Sequence, residues 1–131
     1  MAYEIFKKVV TEIPNKKKQK PLMVAMDKYG RLRINQGFYY TMVEEGFTKV
    51  MILIDYEHSK IALKMLKDKD IAHIDYDPKR AKTLTRGDRT HVAFVSFVTV
   101  KNSLNLQFPF IRNATWDAKE NLIEFSWKED I

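Results

Sequence analysis

Hydrophobic and polar positions alternate in short runs along most of the 131 residues, and no run keeps a helical period for long. Arg31-Leu32-Arg33-Ile34 is the clearest case, with charged and apolar residues alternating as on a strand that has one face in solvent. Leu22 to Met26 is short and apolar and predicts a second strand. Between the two, Asp27-Lys28-Tyr29-Gly30 supplies turn chemistry, with Gly30 free to take positive φ. Tyr3 to Ile13 alternates imperfectly and reads as a strand or a short helix. Pro14 to Pro21 holds a lysine run between two prolines and reads as a loop.

Asn35 fits the N-cap of a short helix over Phe38 to Glu45, with Gly46 as its C-terminal cap. Phe47 to Ile54 predicts a strand, and Val50 to Ile54 is apolar on both parities, which predicts burial on both faces. A polar turn at 55–60 leads to a partner strand, Ile61 to Met65. Beyond the charged connector 67–70, Ile71 to Tyr76 reads as a short strand and Pro78 to Thr90 as a long exposed loop. Val92 to Val100 reads as one buried strand, with Leu104 to Phe108 as its partner. A last hairpin joins residues 113–116 and 122–127 through a turn at Asp117 to Asn121. The segments 50–65 and 114–127 echo each other as strand, acidic turn and strand, a likeness that consecutive hairpins produce.

About eight short strands and one short helix predict an α+β, mainly β fold, a small single domain over 1–131 built of antiparallel hairpins. Within it, 27–65 forms a strand-helix-hairpin unit and 91–131 a second set of hairpins. The chain has no cysteine, which excludes a disulfide scaffold, a thiol nucleophile and a cysteine zinc site. The opening residues carry charge early and lack an apolar core of signal-peptide length, and no apolar run reaches membrane-spanning length. The expectation is a cytoplasmic protein without a membrane partner.

Charge changes the picture more than composition does. The chain carries a net charge of +6, and its first 40 residues alone hold nine Lys/Arg against three Asp/Glu. Lys16, Lys17, Lys18 and Lys20 crowd one loop, and Lys28, Arg31 and Arg33 follow in the next hairpin. Residues two apart on a strand point the same way, so Arg31 and Arg33 project from one face. Guanidinium forks suit phosphate, and lysines add charge without geometric demand. Arg86 and Arg89 in the later polar segment are further candidates.

Catalytic constellations are missing. Ser59 beside His58 has no nucleophile elbow, and four glycines leave no Walker-type loop. The run His73-Ile74-Asp75-Tyr76-Asp77 spaces three ligand types at alternate positions but needs partners from elsewhere to hold a metal. Arg86-Gly87-Asp88 matches an integrin-ligand pattern, which a cysteine-free chain without a signal peptide gives no context for. The sequence reading is therefore no enzyme, no cofactor and no metal site.

The order of residues from Asp27 through Gly30-Arg31-Leu32-Arg33-Ile34, a short helix, Glu45-Gly46, Val50, Asp55, Ile61, Leu63 and Lys64 resembles the swapped-hairpin DNA-binding domain of AbrB-like regulators. The resemblance covers residues 27–65. It implies that Arg31 faces DNA and that the protein is an interleaved homodimer. Asn35 stands where that family usually has proline, and 38–45 carries none of its helix arginines. Together these features predict a small nucleic-acid-binding protein, with DNA favoured over RNA, a regulator of phage or plasmid type. The alternative is a protein-interaction module (an inhibitor, adaptor or assembly subunit) that binds a protein partner through a strand edge or through Phe108, Phe110, Trp116 and Trp127.

Overall fold

Asp27 turns the chain by accepting the Tyr29 and Arg31 amides on Oδ1, each at 2.9 Å, while Gly30 takes φ +87°. That turn joins β1 (Met23–Met26) to β2 (Arg31–Ile34) in register Val24 with Ile34 and Met26 with Leu32. The alternation in the sequence is realised directly: Val24, Met26, Leu32 and Ile34 are buried, and Arg31 and Arg33 are exposed. These details come from a computed structural model, which describes residues 21–73 and 78–128.

Asn35 ties the first hairpin to the helix behind it. Its Oδ1 accepts the amides of Gly37 and Met23, both at 3.1 Å, and its Nδ2 donates to the Pro21 carbonyl at 2.8 Å. Helix α1 (Gln36–Glu45) follows and ends on Gly46 in the left-handed region, whose amide returns to the Met42 carbonyl. Replacing Asn35 by alanine orphans three polar groups at once. The expected loss is about 1–2 kcal/mol of stability, read as a lower urea midpoint. Asn35→Asp keeps both accepted bonds and loses less.

Among the described residues ten strands form two five-stranded antiparallel sheets, with two helices. The first sheet runs β6 (Thr85–Gly87), β7 (Val92–Ser96), β2, β1 and β8 (Phe110–Asn113). The second runs β5 (Lys82–Thr83), β3 (Lys49–Asp55), β4 (Lys60–Leu66), β10 (Leu122–Ser126) and β9 (Thr115–Asp117). β5 leads into β6 through Leu84 alone, and β8 into β9 through Ala114 alone. Each pair is one strand bent from one sheet to the other, so the two sheets join on both sides into a closed ring. Closure leaves no long unpaired edge among the described strands. The core fills the space between the sheets, with Phe38, Phe97, Leu63 and Ile123 at its centre and α1 contributing from the side of β2 and β7.

Three hairpins share one four-residue turn. Ser59, His91 and Asn121 each close it at φ near +55°, and Asp55 and Asp117 hold the amides inside it. Turn chemistry thus produces the echo between 50–65 and 114–127, and the hairpin at 87–91 repeats it.

Four expected elements differ. Residues 68–73 form a 3-10 turn in place of the first half of the strand expected over 71–76, whose residues 74–76 lie outside the described residues; the Asp70 carboxylate accepts the Lys67 amide at 2.9 Å and closes the chain locally. The segment 78–90 is not one exposed loop: it holds a 3-10 turn, β5 and β6, with Leu84, its one large apolar side chain, buried at the bend. β7 stops at Ser96, opposite Arg31, where its partner strand gives way to the 27–30 turn. The chain then enters α2 (Val98–Leu104), with the Phe97 amide donating to the Gly30 carbonyl at 2.8 Å. A second helix therefore replaces the end of the predicted 92–100 strand, against the β preference of Val98 and Val100. Residues 104–108 consequently form no partner strand. Asn105 caps α2 in the left-handed region and Leu106 tucks into the core.

Candidate nucleic-acid interface

The outer face of the first sheet carries one row of side chains in register, Thr85, Phe94, Arg33, Ala25 and Ile111. Arg31 lies beside it, two residues from Arg33 on β2. Ala25 is the smallest member, so the row dips in its middle. That dip opens into a groove of about 440 Å³, lined by Ala25, Arg31, Arg33, Phe94, Phe108 and Ile111 among others. Phe108 and Ile111 are each 56% exposed and line this same groove, which groups their apolar surface beside the arginines.

The two arginines differ in how they are held. Arg31 donates through Nε to Asp27 at 2.8 Å, and its guanidinium lies 4.7 Å from the centre of the Phe94 ring. Phe94 is itself pressed against Gly87, where a Cβ would come within 2.9 Å of the ring. Arg31 is therefore fixed in direction, with its two terminal nitrogens unbonded among the described residues. Arg33 is exposed and makes no ion pair or hydrogen bond within them.

Burial pushes the Asp27 carboxyl upward, but its bonds from Arg31 and the Tyr29 amide outweigh that and hold it below its ordinary value. A depressed folded value means stability that is present above about pH 4 and lost as pH falls through the folded value. Wild type is thus expected to exceed Asp27→Asn in urea midpoint at neutral pH. The gap between them closes as pH falls through the lowered folded value, which a pair of midpoint–pH curves checks.

The remaining cationic candidates divide. Lys28 sits in the turn next to Arg31, 5.2 Å over the exposed Tyr29 ring. Arg86 is on β6, where its Nε donates to Asp88 at 3.0 Å, and Asp88 also accepts the Tyr39 hydroxyl. That neighbouring carboxylate offsets much of its charge. Arg89 is exposed in the β6–β7 turn, one residue from Thr90 on the groove wall. Lys16, Lys17, Lys18 and Lys20 lie outside the described residues, as does most of the run 73–77.

The aromatic candidates divide as well. Phe110 is 2% exposed and belongs to the core, Trp116 packs on Phe38 and Phe47, and Trp127 meets Tyr56 edge-on. Phe108 alone stands free on the basic face. Phe94 and Ala25 are the residues that sequence reasoning missed. The signal was the parity of Val92, Phe94 and Ser96, hidden in a run read as one buried strand.

Among the described residues there is no group of three potential metal ligands, and no helix is long and apolar enough to cross a membrane. No protein-family model, curated protein or solved structure matches the chain.

Proposed function

We propose that the protein binds nucleic acid, DNA in the first instance, through the outer face of the β6-β7-β2-β1-β8 sheet. The observation that carries this reading is the pair Arg31 and Arg33: two guanidinium groups on one strand face, beside a groove, with uncommitted donors. A guanidinium fork matches the geometry of a phosphate, and the overall charge of +6 draws a polyanion to the surface. Lys28 and Arg89 extend the basic face along its two turns. Contacts of this kind grip the backbone and carry little sequence information. The reading needs no second copy of the chain, since β3 and β4 are each paired on both sides within it.

A fluorescence-anisotropy titration against single-stranded and duplex DNA oligonucleotides at about 50 mM salt tests the proposal. With three or four phosphate contacts, log K against log salt is expected to fall with a slope of about −2 to −3 for the single strand and about −3 to −4 for the duplex. Absence of binding at micromolar protein in that low salt overturns it. Partners that survive nuclease in a pull-down would favour a protein-interaction module instead.

A further inference from the structure

We infer that the face takes single-stranded nucleic acid, with an unpaired base stacked on Phe108 while Arg31 and Arg33 hold the adjoining phosphates. The inference rests on the nucleic-acid reading above and narrows its substrate. Three features of the groove carry it.

Phe108 is the first. It lines the same groove as both arginines and leaves more than half of its surface in solvent. A free ring presents a π-face, and stacking on aromatic side chains is how single strands are bound without regard to sequence. A duplex keeps its base faces covered by their neighbours, so an isolated surface phenylalanine has nothing there to stack on.

Placement is the second. Phe108 precedes β8, and the arginines stand on β2, with β1 and its small Ala25 between. Adjacent strands are about 4.8 Å apart, so β2 and β8 lie roughly 10 Å apart across β1, and the groove over them encloses about 440 Å³. Phe94 has a different task. With Gly87 against it and the Arg31 guanidinium over it, it orients the arginine.

The helices are the third. Reading a duplex in its major groove calls for a helix or ribbon that protrudes and carries cations. Helix α1 has no lysine or arginine and ends in Glu44 and Glu45, and α2 carries only Lys101. Among the described residues the basic surface is instead a groove on a sheet face, which suits a flexible strand laid across it.

The test compares a labelled dT oligonucleotide of about 16 nucleotides, its rU counterpart and a duplex of the same length, at about 50 mM salt. The single strands are expected to bind at least about tenfold tighter than the duplex. Phe108→Ala should weaken single-strand binding about fivefold to a hundredfold and leave the salt slope unchanged, because a stack and not a phosphate contact is removed. Phe108→Leu, which keeps apolar bulk on an exposed site, should show a similar loss. Tighter dT than rU binding assigns the strand to DNA, and the reverse to RNA; either supports the inference. Duplex binding equal to or tighter than single-strand binding overturns the inference and leaves the nucleic-acid reading standing. Wild-type affinity in both Phe108 variants does the same. Failure of all three probes to bind overturns both.

Discussion

Replacing Phe38 by alanine is expected to lower folding stability by about 3–5 kcal/mol, the largest single-residue effect in the molecule. The ring is 1% exposed and does more than fill space. It lies 5.0 Å from the Trp116 ring and 6.2 Å from that of Phe47, stacked on the latter at 16°. Phe38 comes from α1, which packs against β2 and β7 of the first sheet, whereas Trp116 lies on β9 of the second. The ring thus couples the two sheets at the point where the helix is laid on. Its removal leaves a cavity bounded by rigid rings and strands, which cannot collapse to fill it, so the upper part of the range is expected. Urea unfolding followed by tryptophan fluorescence reads the effect. The midpoint should drop by roughly 1–3 M with the slope unchanged. Phe108→Ala is the matched control: the same deletion at an exposed position should stay within about 0.5 kcal/mol.

Much of this architecture could be read from local pattern, and the failures share one cause. Arg31 to Ile34 alternates cleanly because one of its faces meets water and the other meets the core, so the strand and the direction of its arginines were both legible. Asn35 and Gly46 were legible too, since capping is decided within a few residues. Residues 97–104 were not. Val98 and Val100 favour a strand, but β7 has no partner beyond Arg31, and the Gly30 carbonyl takes the Phe97 amide. Only the long-range pairing decides that. Leu84 shows the same limit from the other side: a single large apolar residue in a mostly polar segment looks like loop, yet closure of the ring buries it. The site divides in the same way. Arg31 and Arg33 came from spacing along one strand, whereas Phe94, Ala25 and Phe108 become neighbours only through β7, β1 and the approach to β8.

The double variant Arg31→Ala/Arg33→Ala is expected to lose about tenfold to a hundredfold in affinity for DNA at about 50 mM salt. Each guanidinium contributes a charge-assisted contact, discounted here because both sites face solvent. The salt dependence is the sharper diagnostic. Each phosphate contact contributes about 0.7 to the slope for a single strand, so removing two should flatten it by roughly 1.4. Arg31→Lys/Arg33→Lys keeps both charges and should preserve the slope. It should still bind more weakly, since lysine lacks the planar fork that lies over Phe94 and grips phosphate at two points. Asp27 gives a third reading with the opposite sign. Its carboxylate holds Arg31 by Nε and places a negative charge at the edge of the groove. Asp27→Asn therefore should tighten DNA binding severalfold even as it lowers stability at neutral pH, a divergence that separates a role in binding from a role in folding. If the double alanine variant binds with wild-type affinity and slope while remaining folded, the outer face of this sheet is not the binding surface.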